Sequence, residues 1–139
     1  QRFDIIVMHI GGNDIVRYTD LIELEESLRV VLDLATNISD TVILLHGGDV
    51  GTAKLFPYGT RWLFTRRTKQ VRNIFMPVAK EKGVYYVDLF RRGEDDPFFT
   101  DPDKYYAKDN FHPSAEGYRD WYEHVVNVID TTSFTLPRK

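Results

Sequence analysis

The chain has 139 residues, no cysteine and a formal net charge of −3 at pH 7. That length holds about one domain. The absence of cysteine excludes a disulfide framework, a thiolate zinc site and a cysteine nucleophile, and the acidic balance gives no overall basic field for nucleic acid or an anionic membrane.

Residues 3–10 are nearly continuously apolar and read as a β-strand covered on both faces. Asp20 with Glu23 offers a capping box, after which Leu21, Leu24, Leu28, Val31 or Leu32, and Ala35 recur at helical spacing. Residues 41–45 form a second short strand that ends in His46-Gly47-Gly48-Asp49. Val71, Ile74, Phe75 and Val78 give residues 62–82 a helical period, which Pro77 is expected to kink or break. Lys80 and Lys82 suit a helix C-terminus, and Gly83 suits the residue after it. Residues 84–89 read as a third strand, followed by a polar, aromatic-rich loop to about residue 110. A last helix starts near Ser114, with Tyr118, Trp121, Tyr122, Val125 and Ile129 expected on its inner face. No run approaches the roughly 20 apolar residues of a membrane span. Alternating strands and helices predict an α/β fold with a parallel sheet.

Ligands of such sheets collect beyond the C-terminal strand ends. Three segments therefore matter: IGGND after the first strand, HGGDVG after the second, and the loop leading to DNFHPSAEGY after the third. In the last, Asp109 lies three residues before His112. A carboxylate there can accept the imidazole Nδ1 proton, fix the tautomer and leave Nε2 as a general base; the same spacing also suits a helix cap. In the first, Gly11 and Gly12 let a ligand approach the backbone, and the Asn13 amide can donate to a developing oxyanion. The four residues Gly11 to Asp14 equally suit a tight turn, which Asp14 would fasten. His46 is a candidate substrate contact beside the cleft. Phe98, Phe99, Tyr105, Tyr106 and Phe111 are candidates to line an apolar pocket or to anchor a long loop. Arg61, Arg66, Arg67, Lys69 and Arg72 read as a solvated helix face. His9 and His124 read as structural.

Gly11-Gly12-Asn13-Asp14 after a core strand, and Asp109-Asn110-Phe111-His112-Pro113 followed by Gly117-Tyr118, resemble the third and fifth sequence blocks of the SGNH hydrolases, also called GDSL esterases and lipases. VYYVDLF is similar to the strand before that family's catalytic loop. The resemblance covers essentially the whole chain. It implies a three-layer α/β/α sandwich of the flavodoxin-like kind, with Asn13 matching the oxyanion-hole asparagine, His112 the catalytic base and Asp109 the triad acid. The activity it implies is acyl-ester or acetyl-ester hydrolysis of a small-molecule substrate, with no metal or organic cofactor.

The family's G-D-S block, which carries the nucleophilic serine, and its second-block oxyanion glycine have no counterpart here. Ser27, Ser39, Ser114 and Ser133 lie outside any G-D-S context, and Ser114 reads as an N-cap. The expectation is that the family's first strand and helix units are missing from this chain, and that a preceding segment or a second chain completes the sheet and supplies serine and glycine. Without them the first strand would present a long apolar edge. Two other classes stay open: a non-catalytic binding module on the same scaffold, and a receiver-type signalling domain using Asp14 or Asp88.

Overall fold

A computed structural model describes residues 2–131. Three strands, β1 (Ile6–Ile10), β2 (Val42–His46) and β3 (Tyr85–Asp88), form a parallel sheet in the order β1-β2-β3. Ile6 pairs with Val42 and Ile43 with Tyr85. Helices α1 (Gly12–Arg17) and α2 (Leu21–Ile38) connect β1 to β2, and α3 (Arg61–Lys82) connects β2 to β3. After β3 come two single turns, α4 (Pro97–Thr100) and α5 (Pro102–Tyr105), and then α6 (Ala115–Thr131).

Successive strand residues point to opposite faces, and that alternation builds three layers. Ile6, Met8, Val42, Leu44 and Tyr86 pack with Leu24, Leu28 and Leu32 of α2 and with Val71, Phe75 and Val78 of α3. Ile43, Leu45 and Val87 pack on the other face with Trp121, Val125 and Ile129 of α6. The protein is thus an α/β/α sandwich. Among the described residues no helix is long and apolar enough to cross a membrane.

Local chemistry places the helix ends. The Asp20 carboxylate accepts from the Ile22 and Glu23 backbone N–H groups at 2.9 and 3.2 Å, satisfying two donors of the first turn. Gly83, at φ 65°, ends α3 in the left-handed conformation. Ser114 caps α6 by accepting from the Gly117 N–H at 3.2 Å, while its own hydroxyl donates to the Lys104 carbonyl at 2.6 Å.

Several expectations change. β1 is shorter than residues 3–10 and is not covered on both faces: Phe3 makes only a single bridge, to Ser39, and Val7 is 58% exposed. The reason is position, because β1 is the sheet edge and α6 packs over β2 and β3. Pro77 does not interrupt α3. Pro77 and Asn73 both lie on the exposed side, so water can satisfy the Asn73 carbonyl that loses its donor. Tyr118 and Tyr122 are exposed; among the described residues Trp121, Val125, Val128 and Ile129 of α6 pack on the sheet, and His124 Nε2 lies 3.1 Å from the Asp88 carbonyl. Three of the five α3 cations are tethers: Arg67 is buried and donates to the Thr19 carbonyl, Arg72 pairs with Asp88, and Arg61 donates to the Phe56 carbonyl at 3.1 Å.

At Gly117 a side chain has no room. A Cβ there would run into the Tyr105 carbonyl oxygen and lie 2.9 Å from Pro113 Cβ. Gly117→Ala is therefore expected to destabilise the fold by about 1–3 kcal/mol, read as a lower midpoint in chemical denaturation; an unchanged midpoint would contradict the packing described.

Candidate active site

A cleft of about 430 Å³ opens beyond the C-terminal ends of β1 and β2. One wall is the turn after β1. Gly11 adopts φ 97°, and a Cβ on it would lie 2.9 Å from Phe75 Cζ, so both the dihedral and the space demand glycine. This turn starts α1 and puts Asn13, exposed, on the cleft wall beside Gly11 and Gly12. Asp14 fastens the segment through its carbonyl, which accepts from the Thr19 N–H at 3.1 Å. Its carboxylate makes no hydrogen bond among the described residues.

Across the cleft stands the loop that carries Asp109 and His112. Asp109 Oδ1 accepts from the backbone N–H groups of Phe111 and His112 at 3.0 and 2.9 Å, and Oδ2 lies 2.7 Å from His112 Nδ1. Asn110, at φ 61°, allows the turn, and the Ala107 N–H closes it on the His112 carbonyl at 2.7 Å. The imidazole bond, followed by the two backbone donors, pulls the Asp109 carboxyl down to about 2. The His112 side chain is 65% exposed and its Nε2 makes no hydrogen bond among the described residues. Phe111, edge-on to both Phe56 and His112, continues this wall.

The HGGDVG loop borders the same cleft through Gly47, Gly48 and Asp49, but His46 does not. His46 is 1% exposed and lies edge-on to Phe75 at 5.6 Å. Period two explains this correction, since His46 follows Val42 and Leu44 onto the α3 face of β2. Burial pushes its pKa down to about 4, leaving a neutral ring that cannot meet substrate. His9, read as structural, instead lines the cleft with its ring edge-on to Trp121 at 5.2 Å. Burial lowers its pKa as well. Of the loop aromatics, Phe98, Tyr106 and Phe111 line the cleft, whereas Phe99 is exposed and Tyr105 packs beneath Phe98.

The sequence alone did not single out Thr52, Asp96 or Trp121 as site residues, yet all three line the cleft. Asp96 precedes a proline and reads as an ordinary turn residue. Only its burial within the long loop after β3 marks it.

The model of the GDSL-like lipase/acylhydrolase family matches residues 1–119. The chain belongs to that family. Its fold matches that of Axe2, an acetylxylan esterase from Geobacillus stearothermophilus, with TM-score 0.64 and 21% identity over 100% of this chain. An α/β hydrolase from the metagenome of Lake Arreo, Spain, gives TM-score 0.68 and 20% identity over 95% of this chain. This GDSL-family chain spans 64% of the length of the first and 61% of the second. Three further matching structures are catalytic mutants of Axe2, with a serine, an aspartate or a histidine replaced by alanine. No curated protein sequence matches the chain.

Among the described residues of this GDSL-family chain no serine lines the cleft. Ser27 is on the exposed side of α2; Ser39 is buried at the opposite end of β2, its hydroxyl donating to the Thr41 carbonyl at 2.8 Å; Ser114 is committed to capping. Ser133 lies outside the described residues.

The Asp109 carboxyl is expected to titrate near pH 2 by carboxyl NMR, below the ordinary 3.9 or so. Its folded-state pKa is depressed, so its contribution to stability is complete above the unfolded value and disappears as pH falls through about 2. In His112→Ala the midpoint should rise; an unmoved midpoint would mean the two side chains are not bonded in solution.

Proposed function

We propose that the complete protein is a serine esterase that works by acyl transfer. The observation that carries this reading is the 2.7 Å contact between His112 Nδ1 and Asp109, with Nε2 left free beside a cleft that Asn13 also lines. A serine hydroxyl attacks the ester carbonyl while His112 Nε2 takes its proton. Asp109 holds the tautomer and stabilises the imidazolium. The Asn13 amide donates to the oxyanion, and Gly11 and Gly12 keep that wall free of side chains. His112 then passes its proton to the departing alcohol as the C–O bond breaks, and activates the water that hydrolyses the acyl-enzyme. Phe111 supports the imidazole and borders the substrate.

The nucleophile belongs, on this reading, to a segment outside these 139 residues. Two observations support that placement. Among the described residues no strand pairs with the outer edge of β1, and Val7 and Ile10 are exposed beside it, where further strand pairing fits. In Axe2 the catalytic aspartate and histidine are three positions apart, as Asp109 and His112 are, and the catalytic serine comes near the start of that longer chain. A receiver-type role has less support, since Asp88 pairs with Arg72 and, among the described residues, Asp14 belongs to no cluster of three or more His, Asp or Glu that could hold a metal ion. A non-catalytic binder on the same scaffold is favoured by one observation, the cleft without a serine, and a full-length protein lacking G-D-S would bear it out.

Kinetics of the full-length protein on a short aryl ester test the esterase reading. His112→Ala is expected to lower kcat by about 10⁴ or more, and Asn13→Ala by about 10²–10³, with both variants folded. Turnover that survives His112→Ala would overturn the assignment.

A further inference from the structure

The net charge of −3 hides a local asymmetry. From Val50 to Lys80 every charged residue is a lysine or an arginine, and residues 55–63 of that stretch expose a cluster of large apolar and aromatic side chains. Tyr58 is 88% exposed and Trp62 60%, with Leu55 and Leu63 exposed beside them. Exposed apolar surface gathered in this way marks an interaction site.

The segment is braced so that it stands out. Phe56 stacks on Phe64 with ring centres 3.7 Å apart and meets Phe111 edge-on, which fastens it to the cleft wall. The Leu55 N–H donates to the Asn110 carbonyl at 3.1 Å, tying it to the turn that carries His112. A single helical turn, Tyr58–Thr60, follows, and the Thr60 hydroxyl closes it on the Pro57 carbonyl at 2.8 Å. Around Gly59 the space is open. The patch is therefore a projection at the mouth of the cleft and not a groove. Cations share its face. Arg61, bonded to the Phe56 carbonyl, holds its guanidinium 5.7 Å from the centre of the Tyr58 ring. Arg66 is exposed one helical turn after Trp62 and Leu63.

We propose that residues 55–66 dock the protein on an anionic lipid bilayer. Tyrosine, tryptophan and leucine flanked by arginine is the composition of segments that settle in the headgroup layer. The rings and leucines enter the boundary with the acyl chains, while the arginine stems lie along them and keep their guanidinium groups at the phosphates. A projection fits such a soft surface, whereas a protein partner would need a matching hollow. The remainder of the chain is acidic, so an anionic surface repels it and admits the protein by this face. Docked in this way, the protein holds the cleft mouth, with Phe111 and His112, at the bilayer. Docking does not depend on the chemistry in the cleft and stands apart from the esterase reading.

Co-sedimentation of the full-length protein with sucrose-loaded vesicles tests this without turnover, using phosphatidylcholine alone and phosphatidylcholine with phosphatidylglycerol in equal parts. Binding to the mixed vesicles is expected, weakening about tenfold or more as salt rises from about 0.1 to about 1 M, with little binding to phosphatidylcholine alone. The double variant Tyr58→Ser, Trp62→Ser should bind the mixed vesicles about tenfold or more weakly, and Arg66→Gln about fivefold; thermal melting checks that both fold. Acyl-chain-brominated lipid in the mixed vesicles should quench tryptophan fluorescence in the wild type and less in Trp62→Phe. No binding to the mixed vesicles, equal binding to both kinds, or wild-type binding by the double variant would overturn the proposal. Self-association in sedimentation velocity that the double variant abolishes, without vesicle binding, would overturn it in favour of a second copy of the chain on this face.

Discussion

The strand β2 is the constraint from which the remaining architecture follows. It is hydrogen-bonded to a neighbour on each side and covered on each face, so its residues must be apolar and their phase is fixed. Val42 and Leu44 call for the α2 and α3 layer, and Ile43 and Leu45 for α6. Once both layers are in place, the loops leaving β1 and β2 can only spread over the C-terminal end of the sheet. The cleft forms there, and the same phase that builds the core turns His46 away from it.

Asp109 does for the site what β2 does for the core. A single carboxylate accepts three hydrogen bonds, two from the backbone of its own loop and one from His112. The geometry of the turn and the orientation of the imidazole are therefore one feature, held by charge-assisted bonds rather than by burial. This explains how a dyad so open to solvent keeps its alignment. The opposite wall relies on a different device, the left-handed Gly11 packed against Phe75, which couples the Asn13 turn to the hydrophobic core.

Much of this was legible in the residues. α2 declared itself through Asp20 and the Leu24, Leu28, Leu32 and Ala35 stripe, and the two cleft walls through Gly11 to Asn13 and Asp109 to His112. Where the reading departed from the structure, the missing information was long-range. The exposure of Val7 depends on what lies beside β1, which local patterning does not encode. Asp96 looks like any turn aspartate until the loop that carries it folds and buries it. His46 was different, because the alternation from Val42 already assigned it to the core face, yet the glycines after it drew attention to the loop instead. Pro77 shows the converse: a residue that ordinarily breaks helices is tolerated where the orphaned carbonyl faces water.

Acyl transfer at this cleft needs a nucleophilic serine, and among the described residues no serine lines it. Intact-mass analysis of the full-length protein after exposure to a fluorophosphonate, followed by peptide mapping, addresses it most directly. A single adduct on a serine outside these 139 residues is expected, with labelling abolished by His112→Ala. An adduct on Ser27, Ser39, Ser114 or Ser133, or a folded full-length protein that takes no label, would contradict the proposed division of the catalytic machinery.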